Sequence, residues 1–282
     1  MTGDARLSWT DWGFEPTVTL GLLVMVGAYV LAWRRGWLSR ADDTTPWSLP
    51  SGARPWFLGL GIAVAYIALQ SPIDRGGDEY LLSLHMVQHL LLMMVAPPLA
   101  LLGICGARSL SAEVAPGVRR WATRLTRVWP ATLLFNAVLL VWHFPLFYDA
   151  TLSTNPIHIF EHITFVAVGV IFWWPIVDPL RGPATRAVSP LEKIAMLGVA
   201  GVPPTLLGFV MVMAAHPLYG FYGRAERLWG LTAVGDQQVA GIIMFGLGNI
   251  IYFVAISVIF VRMFASPEDD ERAAAAAPAT HA

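Results

Sequence analysis

The sequence predicts an all-α, polytopic membrane protein with seven transmembrane helices, its N-terminus outside and its C-terminus in the cytoplasm. Three observations predict it. Of 282 residues, 56% are hydrophobic and only 13% charged, with a mean hydropathy of +0.59, whereas soluble domains carry about 25% charge. Seven apolar stretches can each cross a hydrocarbon core of about 30 Å at 1.5 Å per helical residue. All but Arg6, Arg75, Arg224 and Arg227 of the 18 basic residues lie on one set of alternating sides, which the positive-inside rule assigns to the cytoplasm.

In chain order, residues 1–15 form an extracytoplasmic segment that is polar and acidic, without the pattern of a cleavable signal. The membrane domain covers 16–264. Its spans fall at 16–33, 55–69 (short unless its flanks join it), 80–103, 131–148, 156–177, 191–215 and 237–263. Trp33, Trp37, Trp47 and Trp56, and later Trp173 and Trp174, suit an interfacial aromatic belt on the inner side. Residues 265–282, acidic and then alanine-rich, read as a disordered cytoplasmic tail. The net charge of −1 gives no footing for a nucleic-acid partner. The single cysteine, Cys105, permits no internal disulfide and is read as inert.

The stretch 80–103 organises the rest. His85, Gln88 and His89 stand at i, i+3 and i+4, one stripe of a helix. Polar groups inside a membrane are costly and usually face a bundle interior or a functional site. His158 and His162 repeat the i, i+4 spacing in the fifth span, with Glu161 beside them. With the topology above, His85, His89, His143, His158, His162 and His216 all fall on the outer side of the bundle, and only His281 lies elsewhere. Two such pairs on neighbouring helices can offer four imidazoles to one metal ion, with His143 as a fifth donor. Met86, Met93, Met94, Met211, Met213 and Met244 add thioethers nearby, and imidazole with thioether favours copper, as Cu(I). Gln88, Glu161, Asp236 and Gln237 are candidates to orient the imidazoles, with His216 and Met86 as accessory groups.

Each group also has a plainer reading. A single membrane histidine commonly serves helix–helix hydrogen bonding, and methionine fills gaps in apolar bundles. Asp236 and Gln237 suit a helix cap, and Glu161 suits a helix first turn.

The segments HMVQHLLLMMVAPPLALLG (85–103), WHFPLFYDA (142–150), HIFEHITFVAVGVIFWWP (158–175) and DQQVAGIIMF (236–245) resemble the CtaG-type cytochrome c oxidase assembly factors of bacteria. These are seven-span plasma-membrane proteins associated with maturation of caa-type oxidases, distinct from the single-span copper chaperone that sometimes shares the label. The resemblance covers roughly 14–264, and H-M-x-Q-H with its leucine run and double proline is its most specific motif. It carries over His85, Gln88, His89, His143, His158, Glu161, His162, Asp236 and Gln237. Phe245 stands where a tryptophan is expected, a conservative departure.

The resemblance implies a non-enzymatic, multi-pass assembly factor of the bacterial plasma membrane, with oxidase subunits and the lipid bilayer as partners and copper as its metal. One alternative is a b-type haem protein with bis-histidine ligation; another is a scaffold for oxidase subunits without a metal. A membrane hydrolase is the weakest. There is no H-E-x-x-H, and HIFEH at 158–162, with its glutamate directly before the second histidine, reads as much like the inverted H-x-x-E-H pattern but one residue longer.

Overall fold

A computed structural model describes residues 7–36, 38, 52–105, 116–179 and 188–276. All secondary structure among them is helical. The elements are α1 (Pro16–Arg34), α2 (Arg54–Gln70), α3 (Pro72–Glu79), α4 (Leu82–Leu90), a π-helical turn (Leu91–Val95), α5 (Ala96–Gly103), α6 (Pro116–Leu125), α7 (Val128–Trp142), α8 (Pro145–Ser153), α9 (Asn155–Val177), α10 (Pro190–Ala200), α11 (Val202–Met213), α12 (Gly220–Arg224), α13 (Ala233–Ile242), a second π turn (Ile243–Leu247) and α14 (Gly248–Ala276).

Six helical stretches are long and apolar enough to span a membrane: Pro16–Arg34, Arg54–Glu79, Leu82–Gly103, Asn155–Val177, Pro190–Met213 and Ala233–Phe264. A seventh is counted if α7 and α8, bent by 70°, form one span. The outer surface carries exposed Leu, Val, Ile and Phe from these helices, the face a bilayer solvates. Ala32 is the one buried residue of α1, so that helix runs along the periphery.

Two spans depart from the expected bounds. The second is longer than 55–69, because the polar run after Gln70 is helical. Ser71 accepts a hydrogen bond from the Ile73 amide at 3.2 Å and Pro72 starts α3, where proline's missing N–H costs nothing. The fourth stops at Trp142 rather than 148. Phe144 takes an extended backbone before Pro145, as residues preceding proline do, and the chain turns there. At the other end α14 runs on to Ala276; residues 277–282, with His281, lie outside the described residues, as do Trp37 and Trp47.

The core has a helical logic. In α9 the buried set His158, Glu161, His162, Phe165, Val168, Gly169 and Phe172 repeats at three and four residues, which is one face of a helix. That face packs on the third span. Pro97 cannot donate to the carbonyl four residues back, and the freed Met93 carbonyl accepts from Trp173 Nε1 at 3.2 Å. Trp173 is therefore a buried bundle residue and not part of an interfacial belt; Trp33 and Trp56 are exposed, as a belt requires. Lys193, the chain's one lysine, is buried and donates to the Ile176 carbonyl at 2.8 Å, a cation at the C-terminal end of α9.

Candidate metal centre

Five histidines meet inside the bundle. His85 and His89 come from α4, His158 and His162 from α9, and His143 from the corner after α7. Ring centroids lie 4.2 Å apart for His85–His89 and for His158–His162. They are 5.4 Å apart for His85–His158, 5.8 Å for His89–His162 and 5.9 Å for His89–His143. Glu161, 0% exposed, lies between the pairs. Its Oε2 is 4.0 Å from His85 Nε2 and its Oε1 is 3.7 Å from His89 Nε2. One ligand atom from each of His85, His89, Glu161 and His162 falls within 4.8 Å of the others, and a second set joins His85 and His158 to Asp78.

Hydrogen bonds fix the tautomers of two of the rings. The Tyr222 hydroxyl lies 2.6 Å from the Gly77 carbonyl and 3.0 Å from His85 Nδ1. A carbonyl only accepts, so the hydroxyl proton goes to Gly77 and the hydroxyl oxygen accepts from His85 Nδ1–H. His143 Nδ1 lies 2.8 Å from the Leu139 carbonyl, so it too carries the proton. In both rings Nε2 is left with a lone pair. These two Nε2 atoms, those of His158 and His162, both nitrogens of His89 and both oxygens of Glu161 are buried without a hydrogen-bond partner. Leaving a polar group so costs roughly 1–3 kcal/mol. A group of atoms dominated by lone pairs, aimed at one another, is a cradle for a cation.

The surrounding helices hold this arrangement. Asp236 accepts from the amides of Leu82 at 2.7 Å and Ser83 at 3.1 Å, and from Ser83 Oγ at 2.5 Å, so the last span caps the start of α4. Asp149 accepts from the Gly220 and Phe221 amides at 3.1 Å each, which sets α12 and, with it, Tyr222. A Cβ on Gly77 would stand 2.9 Å from the His85 amide nitrogen and Cα, so α3 reaches α4 only because residue 77 is glycine.

The accessory residues divide. Glu161 is within the donor set rather than behind it, and it lies beyond the first turn of α9. Gln88 turns away and donates to the Ala68 carbonyl at 3.0 Å and Asp74 Oδ1 at 2.5 Å. One residue is about 100° of helix, and that rotation carries it from His89's face towards α2 and α3. Asp236 orients no imidazole; it caps α4, while its own helix is capped by Thr232. Gln237 ties the following loop, accepting from the Leu218 amide at 2.6 Å and donating to the Met211 carbonyl at 3.1 Å. His216 is exposed and offers its backbone carbonyl to Gln237 at 3.4 Å, so the clustered histidines come from three spans and not four. Met86 is buried and lines a small cavity of about 50 Å³ with Met93, Met94 and Met244. His89 and His143 also face that cavity, whereas the two converging ligand sets are built of imidazoles and carboxylates. Cys105 is buried past the end of α5.

Asp78 and Tyr222 are the residues that sequence reasoning missed. Asp78 Oδ2 lies 3.4 Å from His158 Nδ1 and Oδ1 lies 3.8 Å from His85 Nδ1. The segment HIFEH also overturns one expectation: residues 158–162 match the H-x-x-E-H spacing residue for residue. Spacing therefore does not argue against a hydrolase. Glu161 has both oxygens turned towards the imidazole set.

Fold and centre together define a polytopic helical membrane protein with a buried His/carboxylate cluster of metal-ligand composition. The family of cytochrome c oxidase caa3 assembly factors (Caa3_CtaG) matches residues 27–266, and the chain belongs to that family. It is 28% identical over 273 residues to the uncharacterized protein ML1998 of Mycobacterium leprae (strain TN), covering 90% of this chain and 40% of that one. It is 26% identical over 261 residues to the uncharacterized protein Mb0105 of Mycobacterium bovis, covering 84% and 37%. The chain thus spans well under half the length of these relatives. No solved structure matches it.

Proposed function

We propose that this chain is a plasma-membrane assembly factor for cytochrome c oxidase that binds copper in the His/carboxylate centre and assists its delivery to an oxidase subunit. The role is one of holding and passing on a metal rather than catalysis. Family membership supports the assembly role. One observation carries the metal: the nitrogens of His85, His89 and His162 and a Glu161 oxygen converge within 4.8 Å while buried and unpaired.

His85, His89, His162 and Glu161 hold the ion in this reading, with His158 and His143 at its edge. Three imidazoles and a carboxylate form a borderline donor set, for which Cu²⁺ has the highest affinity among first-row divalent ions. That differs from the Cu(I) preference expected if methionines completed the set. The arginine distribution supports an extracytoplasmic position for the centre. A haem is less well supported, because bis-histidine ligation needs a porphyrin-wide slot between two rings, and these rings pack side by side with centroids 4.2–6.3 Å apart.

The test is oxidase maturation in cells whose own copy is replaced by a His85→Ala/His89→Ala/His162→Ala variant. This reading expects assembled, copper-replete oxidase to fall at least tenfold at equal variant abundance, with partial rescue by added copper. Wild-type levels of mature oxidase would favour a metal-free scaffold instead.

A further inference from the structure

The centre has a wet side. A polar cavity of about 440 Å³ is lined by Asp78, Glu79, Thr151, Ser153, Thr154, Asn155, His158 and Phe221 among others. Glu79, Ser153, Thr154 and Asn155 are exposed, so it opens to the surface. Its inner wall is Asp78 and His158, and these two residues with His85 form the second ligand set. His158 is 8% exposed and its Nε2 has no partner; Asp78 Oδ1 is also buried and unpaired. His85 belongs to both sets.

We propose that this cavity is the vestibule through which the metal reaches the centre, and that Asp78 with His158 is a first station for a divalent transition-metal cation before it passes His85 to the Glu161 set. The inference rests on the metal reading above and adds a direction and a residue to it. Two features argue for it. An accessible carboxylate helps capture a cation from water, and Asp78 touches both solvent and the histidines, with its side chain 30% exposed. The inner Glu161 is wholly buried, so an ion reaching it from the vestibule passes Asp78 or His158 first.

A residue that serves transit changes rates without changing the final equilibrium, whereas a residue of the inner set changes affinity. The experiment is Cu²⁺ loading of the full purified chain in lipid nanodiscs, with uptake and chelator-driven release followed by tryptophan quenching. For Asp78→Asn the expected result is uptake and release both slowed about tenfold, with Kd within threefold of wild type. For Glu161→Gln the expected result is at least tenfold weaker binding. Ser153→Lys, at the exposed mouth, leaves the buried residues untouched and is expected to slow uptake at least threefold at low salt. Asp78→Asn and Ser153→Lys loading at wild-type rates would overturn the vestibule while Glu161→Gln still loses metal. No Cu²⁺ uptake by the wild type, or unchanged binding by Glu161→Gln, would overturn the metal reading itself.

Discussion

Tyr222 holds His85 from 137 residues away. Its hydroxyl donates to the Gly77 carbonyl and accepts from His85 Nδ1, which leaves the Nε2 lone pair facing Glu161. Partners of this kind, acting through a metal-ligating histidine, are typically worth about 10–100-fold in metal affinity. Tyr222→Phe is therefore expected to bind Cu²⁺ about tenfold more weakly while keeping its fold. Competition with a chelator of known affinity measures this; an unchanged Kd would show that His85 needs no such partner.

Asp236 tests how far the centre depends on its frame. It makes three hydrogen bonds to Leu82 and Ser83. Hydrogen bonds to a charged group contribute about 1.5–3 kcal/mol, and a buried amide left unpaired costs about 1–3 kcal/mol. Asp236→Ala is expected to destabilise the protein by about 2–4 kcal/mol and to lower its thermal midpoint in detergent. Asp236→Asn, which retains one acceptor oxygen, should fall between it and wild type.

Gly77 is a steric requirement. A methyl group there meets the His85 backbone at 2.9 Å, and neither backbone can give way cheaply. Overpacking of this kind costs about 1–3 kcal/mol. Gly77→Ala is expected to lose stability in that range and to weaken copper binding as well, because His85 moves with α4. Parallel melting and metal titrations check the coupling.

The Met93 carbonyl freed by Pro97 makes a smaller prediction. Trp173→Phe removes the indole N–H that donates to it at 3.2 Å. The change is expected to cost about 1 kcal/mol with no change in Cu²⁺ affinity, since Trp173 belongs to neither ligand set.

The two histidine pairs were legible in the sequence because i, i+4 spacing fixes a shared helix face whatever the tertiary fold. His143 was legible from its place at the end of an apolar span. Asp78 was not. The run PIDRGGDE reads as a polar loop between spans, and only its folding into α3, held against α4 through Gly77, brings its carboxylate to the histidines. Tyr222 lies on the five-residue helix α12, whose position depends on Asp149 and Gln237, contacts without a sequence period. The same limit explains the misplacements: nothing local distinguishes a glutamine or aspartate that orients an imidazole from one, like Gln88 or Asp236, that ties one helix to another. The bend after Trp142 was foreshadowed by Pro145, but the fourth span's apolar pattern continues past it and hides the end.

The central claim is that the buried imidazoles and Glu161 form one metal centre. The most direct measurement is metal analysis of the full chain purified from copper-replete cells, with its absorption spectrum, beside a variant carrying His85→Ala, His89→Ala, His158→Ala and His162→Ala. The account predicts close to one copper per wild-type chain, no Soret band, and less than a tenth of that copper in the variant. Equal copper in both proteins, or a wild-type chain that carries none and takes up none, would contradict it.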